Sequence, residues 1–221
     1  MESSYAPNIS PLIRKIYRFF FPSLPNYVKK ELVGCETVLD LGCGSGLYSP
    51  LQGLAFNYSL GVEVYQPYLE ECRQKKIHSE YIQADIRSIE FKECSFDAVM
   101  MLNVLEHITK EEGTQLIAKC SVWARKRVII ATPNGFLWQD GYDENPFQEH
   151  KSGWTVQDLR QSGFTVVGFN GWKKLRGYKA MPRYKPMLLW EVISDVTQKV
   201  IYHFPEKAFR LLAIKTLDKN V

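Results

Sequence analysis

The chain has few of the features that mark disulfide-stapled, zinc-knuckle or membrane-spanning proteins. Its five cysteines, Cys35, Cys43, Cys72, Cys94 and Cys120, form an odd set with no C-x-x-C pair, and none lies in the last hundred of its 221 residues. That argues against a disulfide framework and against a zinc knuckle. No apolar run reaches the roughly 18–20 uncharged residues of a membrane span. The opening Met-Glu-Ser-Ser-Tyr-Ala-Pro has no basic stretch leading into an apolar one, so the expected location is cytoplasmic. Histidine is scarce, at four, and no Ser/His/Asp or Cys/His signature of nucleophilic catalysis stands out.

What is present is ordinary in amount and uneven in place. Hydrophobic residues make up 45% and charged residues 24%, globular values that fit one α/β domain with a sizeable core. The net charge of +4 divides sharply, because residues 173–221 hold 11 Lys/Arg against 4 Asp/Glu. Charge confined to one segment points to a local anionic partner rather than a general nucleic-acid film.

Apolar runs of strand length recur at Thr37–Leu41, Tyr58–Val64, Glu80–Ala84, Phe96–Met101, Arg127–Ala131, Phe164–Phe169 and Ala208–Leu217. They are continuous rather than alternating, as expected of strands buried on both faces. Helical segments fall between them at Gly46–Ala55, Gln66–Lys75, Lys110–Trp123 and Thr155–Ser162, with Thr109 and Thr155 as N-cap hydroxyls and Gly163 beyond a C-terminus. The expected fold is α/β, a doubly wound, mostly parallel seven-stranded sheet with helices on both faces. The whole chain, 1–221, reads as one domain with a core over 35–135. Three segments lie outside the alternation. Residues 9–33 carry Ile9, Leu12, Ile13, Ile16, Phe19 and Phe20 at helical spacing before Pro22 and Pro25, which suggests a lid helix. Residues 132–154 form a Pro-, Asn-, Gly- and aromatic-rich loop, and residues 171–205 an insertion with one helix, Pro186–Phe204, before the last strand.

The most informative stretch is Val38-Leu39-Asp40-Leu41-Gly42-Cys43-Gly44-Ser45-Gly46. A buried strand ends in an acid and a G-x-G-x-G turn, which lets a ligand approach the backbone at the carboxyl edge of the sheet. The dinucleotide fingerprint fits poorly, because position 47 is leucine and Asp40 would face a pyrophosphate. The next two strands also end in acids, in Gly61-Val62-Glu63-Val64, whose carboxylate suits a ribose diol, and in Gln83-Ala84-Asp85-Ile86, whose carboxylate suits an adenine amino group with Ile86 beside the ring. The fourth gives Phe96-Asp97-Ala98-Val99-Met100-Met101-Leu102-Asn103-Val104-Leu105-Glu106-His107-Ile108.

In order and spacing these motifs resemble the class I, seven-strand S-adenosylmethionine-dependent methyltransferases over about residues 35–135. The resemblance implies S-adenosylmethionine as cofactor and S-adenosylhomocysteine as product, and a set of cofactor-binding residues. Asp40 would orient the methionine amino group, and Gly42, Cys43, Gly44, Ser45 and Gly46 would pack on the methionine part and ribose. Glu63 with Val64 would take the ribose, Asp85 with Ile86 the adenine, and Asn103 with Val104 would sit near the sulfonium. Methyl transfer from a sulfonium needs alignment and no protein nucleophile. Two histidines, His107 and His150, are the candidates for taking the acceptor's proton. Some relatives hold a divalent metal with a Glu-x-x-Glu-His block; here the first carboxylate is the amide of Asn103, and no metal is expected. A base-directed enzyme is disfavoured because Asn103-Val104-Leu105-Glu106 stands where such enzymes carry an aromatic Pro-Pro motif. The expected acceptor is a small molecule, a glycan or a lipid-linked metabolite, with an anionic group received by Lys173, Lys174, Arg176, Lys179, Arg183 and Lys185, and with Phe136, Trp138, Tyr142, Phe147 and Trp154 near the mouth. The competing readings are an RNA or protein methyltransferase that uses the basic insertion, and a non-catalytic cofactor-binding subunit.

Overall fold

A computed structural model describes residues 23–47, 49–141, 143–177 and 181–217. The apolar helical spacing at 9–21, and Tyr142 and Lys179, lie outside these residues.

Seven strands form one sheet in the order β3-β2-β1-β4-β5-β7-β6. They are β1 Thr37–Leu41, β2 Tyr58–Glu63, β3 Glu80–Gln83, β4 Phe96–Leu102, β5 Ala124–Pro133, β6 Thr165–Trp172 and β7 Ala208–Thr216. The pairs β3-β2, β2-β1, β1-β4 and β4-β5 are parallel, and β7 runs antiparallel to both β5 and β6. The central strands β1, β2, β4 and β5 are almost wholly buried, which is why their sequences do not alternate. Each sheet face carries its own apolar layer. One joins Leu39, Leu41, Val99 and Met101 to Leu116, Trp123 and Leu159; the other joins Val38, Met100 and Ile129 to Val28, Leu69 and Phe169.

Five helices flank the sheet among the described residues: α1 Leu24–Glu31, α2 Gln66–Gln74, α3 Lys110–Trp123, α4 Val156–Gln161 and α5 Met187–Ile201. Both expected threonine caps form. Thr109 closes a capping box with Glu112 at the head of α3, and Thr155 closes one with Asp158 at the head of α4. Gly163 follows α4 at φ +87°, a left-handed position suited to glycine.

Two expectations fail. No helix forms among the described residues of 46–55, which make a series of turns; Gly46 and Gly53 hold φ of +69° and +76°, and Pro50 has no N–H to donate. Pro25 does not close a helix but lies in the first turn of α1, where its missing N–H costs nothing. Helix α1 lies on a sheet face, with Val28 fully buried and Tyr27 edge-on to Phe169 at 4.6 Å.

Candidate active site

The parallel strands place four loops at one edge of the sheet. At β1 the chain turns through Gly42, Gly44 and Gly46 with φ of +71°, +55° and +69°. These three glycines serve different ends. A Cβ on Gly42 would lie 2.5 Å from Val104 Cγ2, and one on Gly46 would lie 2.4 Å from Ile77 Cδ1, whereas a Cβ on Gly44 would meet nothing within 4 Å. The outer glycines let the loop pack down, and the middle one leaves open space above it.

Glu63, at the end of β2, is 8% exposed and locked to this loop. One carboxylate oxygen accepts from the Gly44 amide at 2.9 Å and the other from the Tyr65 amide at 2.9 Å. Burial raises its pKa against the pull of those amides. Each oxygen keeps a lone pair for a ligand hydroxyl. Asp85 is held differently. Both its oxygens are forked by Arg87, whose other arm reaches Glu112 at 2.7 Å, and the Arg87 hydrogen bonds lower its pKa. Asn103 has φ +59°, donates its amide to Ala131 O at 2.7 Å, and carries a buried side-chain oxygen with no hydrogen-bond partner.

Asp40 leads to a group that the motif does not announce. Under the glycine loop, Asp40 Oδ2 lies 3.4 Å from His78 Nε2, a charge contact longer than a good hydrogen bond. Cys43, Cys72 and His78 each place a donor atom within 4.8 Å of the others, and all are buried. Burial alone would lower the His78 pKa, but Asp40 and Cys72 outweigh it and raise it to about 9. The Cys43 thiol, donating to Cys72, lowers the Cys72 pKa to about 6 and has its own raised. Gly61 makes this possible: a Cβ there would stand 2.6 Å from the His78 ring and 3.1 Å from Cys43 Sγ.

After β4 a single 3-10 turn, Leu105–His107, presents the second group. Glu106, His107 and His150 bring one donor atom each within 4.8 Å, and the two imidazoles meet edge-on at 4.8 Å. His107 Nδ1 faces Glu149 O at 3.0 Å, and His150 Nδ1 faces Leu137 O. A carbonyl can only accept, so each Nδ1 carries the proton and each Nε2 is left as the base. Burial lowers both histidine pKa values. Glu106 is buried beside them, accepts from Thr132 Oγ1 at 3.1 Å, and has its pKa raised by burial against the charges of His150 and Arg210. The two histidines singled out from sequence, 43 positions apart, thus share one site.

The long loop is tied at its base and along its length. Gly135 N donates to Trp154 O at 2.8 Å, Asn134 Nδ2 reaches the carbonyls of Pro205, Glu206 and Ala208 at 2.9–3.1 Å, and Tyr68 of α2 donates to Asp143 at 2.7 Å. Phe136, Trp138 and Phe147 are exposed, but Trp154 is core, 1% exposed, with its indole N–H directed to Leu105 O and Ser152 Oγ. Of the basic residues in the insertion, Lys173, Lys174, Arg183 and Lys185 are exposed. Arg176 is instead buried, bonding Ser194 Oγ at 2.9 Å and Asp195 at 3.0 Å, and does not offer itself to a ligand anion.

Residues 39–131 match the family model described as "Methyltransferase domain". Over that stretch, less than half of its length, the chain is similar to methyltransferases. A probable S-adenosylmethionine-dependent methyltransferase of Mycobacterium tuberculosis is 24% identical over 140 residues, 61% of this chain and 50% of that protein, so the chain spans about half the length of this curated relative. The methyltransferase fold is shared with two solved structures. One is a putative S-adenosylmethionine-dependent methyltransferase from Listeria monocytogenes, with TM-score 0.56, 16% identity, and 87% and 97% of the two chains covered. The other is magnesium protoporphyrin IX methyltransferase from Synechocystis with bound S-adenosylhomocysteine, with TM-score 0.53, 17% identity, and 96% and 90% covered. The methyltransferase match ends at residue 131, before the histidine-bearing loop and the basic insertion.

Sequence reasoning missed His78, Cys72 and Arg87. Arg87, two residues beyond Asp85, was legible as a local ion pair; His78 and Cys72 carry no motif.

Proposed function

We propose that the protein transfers the methyl group of S-adenosylmethionine to a small-molecule, glycan or lipid-linked acceptor that carries an anionic group. The observation that supports this most is the open space above Gly44, beside a buried carboxylate fixed by the Gly44 and Tyr65 amides, with a histidine pair after the neighbouring strand β4. The donor set fits the cofactor: Glu63 would accept the ribose hydroxyls, Asp40 the methionine ammonium, and the Asn103 oxygens would offer partial negative charge to the sulfonium. When bound, S-adenosylmethionine supplies an already activated methyl, so the protein's task is alignment, worth roughly 7–11 kcal/mol in well-oriented reactions. His107 or His150 takes the acceptor's proton at Nε2 while its Nδ1–H stays on a backbone carbonyl. Lys173, Lys174, Arg183 and Lys185 would receive the anionic group.

Titration calorimetry with S-adenosylmethionine tests the cofactor assignment. Wild type should bind, and Glu63→Ala, which removes both acceptors, should bind at least about tenfold more weakly. No binding by wild type, or undiminished binding by a folded variant, defeats it.

One observation favours a metal-assisted form of the same reaction. Both imidazoles donate Nδ1–H to carbonyls, as metal-ligating histidines do, and Asn103 Oδ1 is an unpartnered oxygen donor near Glu106 in sequence. Dialysis against a chelator separates the two forms: unchanged turnover supports the histidine base alone, and loss restored by a divalent cation establishes the metal.

A further inference from the structure

Helix α5 has an unusual polarity. Its inner face carries polar Ser194, fully buried, and Gln198, 8% exposed, with the core residue Ile201 at its far end. Gln198 donates to Gly168 O at 2.9 Å and accepts from Gly171 N at 3.0 Å, while Arg176 donates to Ser194. The helix sits so close to β6 that a Cβ on Gly168 would lie 2.3 Å from Ile201 O, and one on Gly171 2.3 Å from Ser194 Oγ. Its outer face is aliphatic. Leu189, Val192, Val196 and Val200 are 54%, 48%, 57% and 60% exposed, and their spacing of three and four residues makes one stripe about 16 Å long. A surface helix normally shows the opposite arrangement, so packing among the described residues does not explain the stripe.

What surrounds the stripe indicates what covers it. Tyr184 and Trp190 meet with tilted rings, 4.9 Å between centroids, at one end, and Phe204 is 53% exposed at the other. Lys173, Lys174, Arg183 and Lys185, in the segment that precedes the helix, are exposed, as are Lys199 in its last turn and Lys207 just beyond it. The neighbouring acids are engaged elsewhere, Asp195 with Arg176 and Glu206 with Arg160 at 2.8 Å, which leaves Glu191 on the inner flank. An aliphatic stripe with aromatic ends and a cationic border matches an interfacial helix. A second copy of the chain fits less well, because antiparallel pairing of two stripes would set Lys185 and its neighbours against Lys199 and Lys207.

We propose that α5 docks the protein on an anionic phospholipid surface, with Leu189, Val192, Val196 and Val200 entering the acyl boundary and the flanking lysines meeting the headgroups. The docking also orients the site. Ser194 lies beside Gly171, near the end of β6, and Gln198 and Ile201 lie further back along the strand. The seven residues before Ser194 therefore extend about 10 Å past the carboxyl edge, the edge that holds the glycine loop and the histidine pair.

Sedimentation of the full chain with phosphatidylcholine vesicles, with and without 30 mol% phosphatidylglycerol, tests this without reference to methyl transfer. Binding should appear with the anionic vesicles and fall at least tenfold with neutral ones or at high salt. Val192→Ser/Val196→Ser, on exposed positions, should lose binding at least tenfold with an unchanged melting temperature. A second variant, Lys173→Glu/Lys174→Glu/Lys185→Glu, should do the same. The proposal is overturned if wild type ignores anionic vesicles, or if both variants sediment as wild type does. It is also overturned if light scattering shows a dimer that the valine variant dissolves, which would make a second copy the occupant.

Discussion

Alanine at Gly44 and at Gly46 should separate the room the loop keeps for a ligand from the room it needs to fold. Both glycines sit at positive φ, +55° and +69°, so either substitution carries left-handed strain of about 1–2 kcal/mol. At Gly44 nothing further is added, since the new methyl group enters open space. At Gly46 it would enter a filled site, 2.4 Å from Ile77 Cδ1 and 2.9 Å from Cys72 Sγ, and overpacking of that kind adds about 1–3 kcal/mol. At this chain length each kcal/mol moves the melting temperature by roughly 2–4 °C. Gly44→Ala should therefore melt about 2–8 °C below wild type and Gly46→Ala about 4–20 °C below it. Affinity should follow the other order. With the cofactor bound as proposed, the Gly44 methyl would stand in its space, and an overlap of about 1–3 kcal/mol corresponds to a loss of roughly 5- to 150-fold. Differential scanning fluorimetry and calorimetry with S-adenosylmethionine read the two effects independently. Equal melting of the two variants, or wild-type affinity in Gly44→Ala, would refute the division of labour.

Three further outcomes follow from contacts already described. Gly113 lies within α3, where alanine ordinarily stabilises by roughly 1 kcal/mol; here its Cβ would press 2.4 Å from Trp154 Cζ2, so Gly113→Ala should lower the denaturant midpoint, and a raised midpoint would show that Trp154 is free to yield. Burial lowers the pKa of both His107 and His150 from 6.5, so their neutral, proton-accepting forms persist to more acidic pH; the acid limb of kcat/KM should lie below pH 6.5, and a limb above pH 7 would exclude both as the base. Asn134→Ala withdraws the amide from three carbonyls and should cost about 1–3 kcal/mol, read by urea unfolding; a change within error would mean water replaces the amide.

The sheet was legible because its strands are buried on both faces: β1 and α3 fall on the residues that continuous apolar runs and the Thr109 cap predict. The turns at 46–55 were not, because apolar Leu47, Leu51 and Leu54 mimic a helical period while Gly46, Pro50 and Gly53 set the backbone. Within the site, the motif located Asp40 and Glu63 but not their partners. His78 comes from the approach to β3 and Cys72 from α2, and only the folded backbone brings them under β1. The polarity of α5 was equally hidden, since a helical period gives the stripe but not which side faces the protein.

The three carbonyls held by Asn134 have a consequence for how this fold can be altered. They belong to the segment that closes the insertion, while Asn134 opens the histidine-bearing loop. Loop and insertion, separate segments of the sequence, are therefore joined by one side chain and exchange best as a pair. A chimera that takes only the loop from a relative would leave the Pro205–Ala208 carbonyls facing a foreign side chain. Transplanting both pieces together preserves the joint and leaves the strands that carry the glycine loop untouched.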